Sequence, residues 1–266
     1  MSFQFSRYTL IAALALATLA GCLPTRLWSQ AAMSPTPGSP SSTVLIELFT
    51  SEGCSDCPAA DELLRQVTGR KDVGGQLIVG LSEHVSYWNG LGWRDPFSSD
   101  LYTARQNEYA TRFALASVYT PQMIVNGREQ FVGSDRRALD AALAAESKRK
   151  QIQLRIDSAQ VTDKNITFSY SASDLPAKGS LQLVAMLVDD MDRSKVLLGE
   201  NSGRDLVHVA VVRALAPLGA LHEAEQHSVT LSLPPSFSNS STGHHLVLFA
   251  QQSGLGSVMG IDTRPI

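Results

Sequence analysis

Two cysteines three positions apart, Cys54 and Cys57, are where this sequence could do chemistry. They stand in Thr50-Ser51-Glu52-Gly53-Cys54-Ser55-Asp56-Cys57-Pro58, between an apolar run and an amphipathic pattern. The order implied is strand, tight turn, helix, with Pro58 suited to a first helical turn, where its missing N–H is not needed. Cysteines so spaced at a helix start can bring their sulfurs within disulfide reach, and the free N–H groups and dipole of the helix stabilise a thiolate on the first. Cys54 is therefore the expected attacking thiol, and Cys57, one turn further in, the thiol that resolves a mixed disulfide. Asp56 works against this by setting a carboxylate beside the same sulfur. Two other uses of the pair compete with redox exchange. One is a passive structural disulfide, although so short a loop constrains the unfolded chain little. The other is half of a zinc site, for which the sequence offers no second CxxC.

The 266 residues contain three cysteines, too few for a disulfide scaffold, and 44% hydrophobic residues, enough for a packed core. Lys and Arg number 22 against 25 Asp and Glu, a net charge of -3, so no basic field is available for a phosphate backbone and nucleic acid is not an expected partner. The third cysteine, Cys22, closes Leu19-Ala20-Gly21-Cys22, after Arg7 and the apolar stretch Tyr8 to Ala20. That stretch is shorter than the ~20 residues that span a bilayer comfortably. A basic start, a short apolar run and small residues are the parts of a signal peptide. The run ending in Cys22 resembles a bacterial lipobox, which implies removal of residues 1–21 and a lipid on Cys22. Residues 22–43, with Pro35, Pro37, Gly38 and Pro40, read as a flexible tether. The expected location is the periplasmic side of a bacterial cell envelope, membrane-tethered. Leu23 in place of an aspartate gives the outer membrane the preference. With Cys22 lipidated, Cys54 and Cys57 are the thiols left to the exported chain.

Around the pair, Val44 to Phe49 is almost wholly apolar and predicts a strand buried on both faces. Ala60, Leu63, Leu64 and Val67 give the following helix its apolar side, and Gln76 to Ser82 predicts a second strand. Next come an aromatic stretch from His84 to Phe97, a helical segment from about Ser99 to Ala116, and Tyr119-Thr120-Pro121-Gln122 opening a strand that ends at Asn126-Gly127. Ser134 to about Ser147 predicts a capped helix. His84 could exchange a proton with the thiols, complete a metal site with them, or be a hydrogen-bonded core residue. Trp88, Trp93 and Tyr87 could line a substrate groove or fill a small aromatic core.

The stretch from Val44 to Ser147 resembles a thioredoxin-fold domain, with Cys54 and Cys57 as its redox pair and Thr120-Pro121 as the cis-proline loop facing them. More closely, Phe49 to Asp61, the His84 to Phe97 stretch and Tyr119-Thr120-Pro121-Gln122 resemble the bacterial "domain of unknown function 1223" family, and Gly199 to Leu206 resembles a second signature of it. This likeness implies an exported thioredoxin-like protein in which Thr120 and Pro121 meet the substrate, with Trp88 beside them where the aromatic stretch lines the groove.

After Lys148-Arg149-Lys150 the pattern changes to short alternating apolar runs separated by turn signals such as Lys178-Gly179, which predicts an all-β sandwich. The expected architecture is thus an α/β thioredoxin-like domain over 44–148 followed by an all-β sandwich-like domain over 149–266. The expected function is thiol–disulfide exchange with exported proteins by Cys54 and Cys57, with no cofactor and no resident metal. The alternatives are a soft-metal module, for instance for Cu(I), using Cys54, Cys57 and His84, or a non-catalytic adaptor.

Overall fold

The computed structural model describes residues 42–177, 180–221, 227–234, 237 and 243–266. The expected signal peptide over 1–21, Cys22, nearly all of the expected tether and the turn expected at Lys178-Gly179 lie outside the described residues. Among the described residues, no helix is long and apolar enough to cross a membrane.

The apolar run at the start folds as expected into a strand buried along its whole length, β1 (Thr43–Thr50). It pairs in parallel with β2 (Leu77–His84), from Thr43 opposite Leu77 to Thr50 opposite His84. On its other edge it pairs antiparallel with β3 (Gln122–Val125), which turns at Asn126-Gly127 into β4 (Glu129–Val132). Among the described residues three helices accompany these strands, α1 (Cys57–Val67) after β1, α2 (Asp100–Arg112) after β2 and α3 (Arg136–Glu146) after β4. Ser99 caps α2 through the N–H of Leu101, and Asp135 caps α3 through those of Arg137 and Ala138, so these two helices begin where a side chain can take free donors. Ala60, Leu63, Leu64 and Val67 of α1 pack with Leu139, Ala142 and Leu143 of α3 over one face of β1 and β3.

Seven strands follow: β5 (Gln153–Val161), β6 (Asn165–Ser173), β7 (Leu181–Lys195), β8 (Asp205–Ala220), β9 (His227–Ser232), β10 (His244–Gln252) and β11 (Val258–Pro265). β5, β6 and β9 form a three-stranded sheet, whereas the other four join the first half in one eight-stranded sheet of order β11-β10-β7-β8-β2-β1-β3-β4. This topology corrects the expectation of an α/β thioredoxin-like domain followed by an all-β sandwich-like domain. The protein is mostly β, and its large mixed sheet runs through both halves of the chain. The physical reason is the pairing of β8, which holds β7 antiparallel on one edge and β2 in parallel, at Ser82 opposite Val211, on the other. One core then serves both halves: Leu45, Val79 and Leu81 pack with Met186, Val188, Val212, Val247 and Phe249. The described residues accordingly belong to one compact unit.

A buried polar cluster fastens α2 to this sheet. Glu47 of β1 receives Arg105 Nε at 2.6 Å and the Tyr109 hydroxyl at 2.5 Å, while Gln251 of β10 bonds both Arg105 and Tyr109. Burial, and next the charge of Glu47, push the neighbouring Glu83 carboxyl well above the usual range.

Candidate functional site

β1 ends at Thr50, and the chain turns through Ser51 to Asp56 before α1 begins at Cys57. Cys54 and Cys57 are joined as a disulfide with Cα atoms 5.4 Å apart. The turn is closed by the N–H of Cys54 on the carbonyl of Ser51 and that of Cys57 on the carbonyl of Cys54, both 3.2 Å. Pro58 stands in the first helical turn as expected, whereas Asp56 makes no side-chain cap. Cys57 is fully buried and Cys54 is 2% exposed, so in the disulfide form neither sulfur is open to solvent.

The expected substrate-facing residues converge on the pair. The Thr120–Pro121 bond is cis, and the Thr120 carbonyl oxygen lies 3.8 Å from Cys54 Sγ. Trp88 Nε1 donates to Thr120 Oγ1 at 2.8 Å, and its Cβ would come within 3.0 Å of a Cβ added to Gly53, so the absence of a side chain at Gly53 lets the indole lie against the turn.

His84 reaches the cysteine turn indirectly. It is fully buried at the end of β2, its Nδ1 is 2.7 Å from Asp95 Oδ2, and its ring packs edge-on to Phe97 and His208. Asp95 Oδ2 in turn accepts the N–H of Glu52 at 2.8 Å. Burial opposes the charge of Asp95, but His84 and the N–H groups of Glu52 and Phe97 outweigh it and hold the carboxyl below its ordinary value. His84 thus braces the turn through Asp95. Among the described residues, no three His, Cys, Asp or Glu side chains are grouped to hold a metal ion.

Sequence reasoning missed a layer of buried charge next to the pair. Glu52, fully buried, accepts Trp93 Nε1 on Oε2 at 2.6 Å, and its Oε1 lies 3.3 Å from Nε2 of His208. His208 Nδ1 lies 3.5 Å from Asp61 Oδ2, and Asp61 Oδ1 accepts the Thr50 hydroxyl at 2.8 Å. Burial works against a charge on His208, but the Asp61 and Glu52 carboxylates on either side of the ring push it up to about 10, so the imidazolium is the form held between them. Asp61 follows Cys57 by one turn on the same buried face of α1. Two signals in the sequence point here. Asp61 interrupts the apolar stripe of α1, and His208 interrupts the apolar run Val207 to Val212. Each is a charge-bearing residue that the pattern sends inward, and such residues need partners.

A second missed contribution comes from the connection between β7 and β8. Asn201, fully buried, donates from Nδ2 to the carbonyl oxygens of Glu52 and Cys54, 2.8 Å each, and Glu200 Oε2 accepts the Ser55 N–H at 2.9 Å.

The sequence matches, over residues 45–251, the family described as "Protein of unknown function (DUF1223)". None of the curated proteins matches the chain significantly. Among solved structures, the crystal structure of a protein from Agrobacterium tumefaciens is similar at a TM-score of 0.62 and 25% identity, over 85% of this chain and 95% of that one. A domain of the outer membrane lipoprotein Omp28 from Porphyromonas gingivalis aligns at a TM-score of 0.31 and 14% identity, over 44% and 88% of the two chains. A DUF3823 family protein from Bacteroides ovatus aligns at 0.30 and 13%, over 44% and 54%.

Proposed function

The chain belongs to the DUF1223 family, whose description assigns no activity, and from its dithiol we propose a thiol–disulfide oxidoreductase that acts on exported proteins. The observation that carries this reading is the disulfide at the start of α1 with the Thr120 carbonyl 3.8 Å from Cys54 Sγ. In the reduced protein the Cys54 thiolate attacks a partner disulfide. A Cys54–partner S–S bond forms, and the other partner sulfur leaves as a thiolate that takes up a proton. Cys57 gives up its proton and attacks Cys54 Sγ, which expels the second partner thiol and closes Cys54–Cys57. Run backwards, the same steps oxidise a partner dithiol. Pro121 has no N–H, and the backbone at Thr120 supplies an edge that an extended partner segment can pair with, flanked by Trp88. Because Cys54 is 2% exposed, a partner has to part the residues over the turn before exchange. The same reading takes the chain as a bacterial exported protein held at the envelope, outer membrane preferred, by a lipid on Cys22.

Cys57→Ala tests the proposal in the native envelope. It should accumulate mixed disulfides that a reductant releases, whereas Cys54→Ala should trap few, its remaining thiol being the less exposed of the two and the one further into the helix. If neither variant traps a partner while the wild-type pair binds copper tightly, the oxidoreductase reading gives way to a soft-metal site.

A further inference from the structure

The dithiol turn is held by a strap delivered from the far half of the chain. Asn201 fixes the strap by its two bonds to the carbonyls of Glu52 and Cys54, and Arg204 Nη1 donates to Asn201 Oδ1 at 3.0 Å. Gly199 lies at φ +77, where other residues are strained, and a Cβ there would come within 3.2 Å of Trp93 Cβ. With the backbone so placed, Glu200 reaches the N–H of Ser55, between the two cysteines. The N-cap residue of α1, Asp56, makes no side-chain cap, and the first helical turn holds no acidic residue.

Resting on the reading that the pair cycles between disulfide and dithiol, we propose that Glu200 is a positioning residue that sets the poise of the couple toward the disulfide, acting through Ser55. Reduction adds two electrons and two protons and breaks the S–S bond. Cys54, at the helix start, is the thiol placed to lose its proton again. The thiolate would draw stabilisation from the free N–H groups of the helix and its dipole, while the Ser55 N–H beside it, one residue before the Asp56 N-cap, is given to a carboxylate. A fixed negative charge one residue away then opposes a second. In the disulfide the sulfurs carry no charge, so the carboxylate costs nothing there. The other charged groups around the turn are Asp56, of the same sign, the His84–Asp95 pair, the Glu52–His208–Asp61 set, in which one imidazolium stands between two carboxylates, and Arg204, engaged by Asn201. Glu200 is the one that a loop outside the dithiol segment brings to the Ser55 N–H.

The test equilibrates the full chain carrying Cys22→Ser with defined ratios of reduced and oxidised glutathione, or of dithiothreitol, and measures the dithiol fraction by alkylation. Glu200→Gln keeps an acceptor for Ser55 and removes the charge. At low ionic strength it should move the equilibrium constant toward the dithiol by about two- to fivefold. The Cys54 thiolate absorbance should then appear at lower pH, and both effects should shrink as salt is added. Glu62→Gln, further along α1 and paired with Arg65, should leave both readouts in place. An unchanged constant, a move toward the disulfide, or an equal move in Glu62→Gln overturns the proposal. A pair that neither reagent opens overturns it together with the redox reading. Because the exchange uses small thiols, a failure to trap partners in the envelope would count against the proposed function and leave this result standing.

Discussion

Replacing His208 by Gln tests the buried charge layer most directly, because a single imidazole from β8 bridges two carboxylates of the β1–α1 segment. The His208 side chain is 1% exposed, with Glu52 at 3.3 Å and Asp61 at 3.5 Å. Its pKa is pushed up from an ordinary 6.5 to about 10. At about 1.4 kcal/mol for each tenfold change, that difference corresponds to roughly 5 kcal/mol of stability when the imidazole is fully charged. The folded value lies above the unfolded one, so the contribution is complete below pH 6.5 and is lost as pH rises through 10. Roughly 4 kcal/mol of it remains at pH 7 and between ~1 and ~2 kcal/mol at pH 9. The wild type should therefore lose about 2–3 kcal/mol more than His208→Gln between these two pH values. At pH 7 the variant should itself be less stable by about 3–5 kcal/mol, the usual cost of leaving a buried charge without its partner. Urea unfolding of the oxidised protein, followed by tryptophan fluorescence at pH 7 and pH 9 in a Cys22→Ser background, measures both quantities without a free thiol. Groups common to the two proteins cancel in the comparison. Parallel pH dependence of wild type and variant would refute the assignment of a charged His208.

Arg105→Leu leaves Glu47 unpaired in the core beside Glu83, and should cost about 3–5 kcal/mol in urea unfolding at pH 7. A loss within experimental error would mean that the Glu47–Arg105–Gln251 cluster does not fasten α2 to the sheet. Cys22→Ser should release the protein from the membrane fraction into a soluble exported one, and unchanged membrane association would remove the lipid anchor from the proposed location.

How much was legible in advance follows from the range over which each signal acts. Strand β1 was readable because a nearly unbroken apolar run can only be buried on both faces, and helix α1 because Pro58 and its apolar stripe are local devices. The cysteine pair was readable for the same reason: its chemistry rests on a spacing of three at a helix start. The neighbourhood of Cys54, with cis Thr120–Pro121 and Trp88, followed from the family resemblance on quoted motifs, and the structure brings those residues together. The architecture of the C-terminal half did not follow. Alternation in Val207 to Leu215 shows that a strand is half or wholly buried, yet it is the same whether the strand's edge meets a sandwich partner or β2. That choice, and with it the correction to one eight-stranded sheet, depends on which backbone edges find one another in three dimensions. The same limit hid His208, Asn201 and Glu200, which lie some 145 or more positions from the residues they touch. The sequence by itself determined a dithiol at a helix start behind a buried strand, since those are consequences of neighbouring residues. Tertiary structure alone decided what surrounds it, because the imidazole beneath the pair and the carboxylate on Ser55 arrive on β8 and its preceding loop, and hydrogen bonds form between atoms close in space, whatever their distance along the chain.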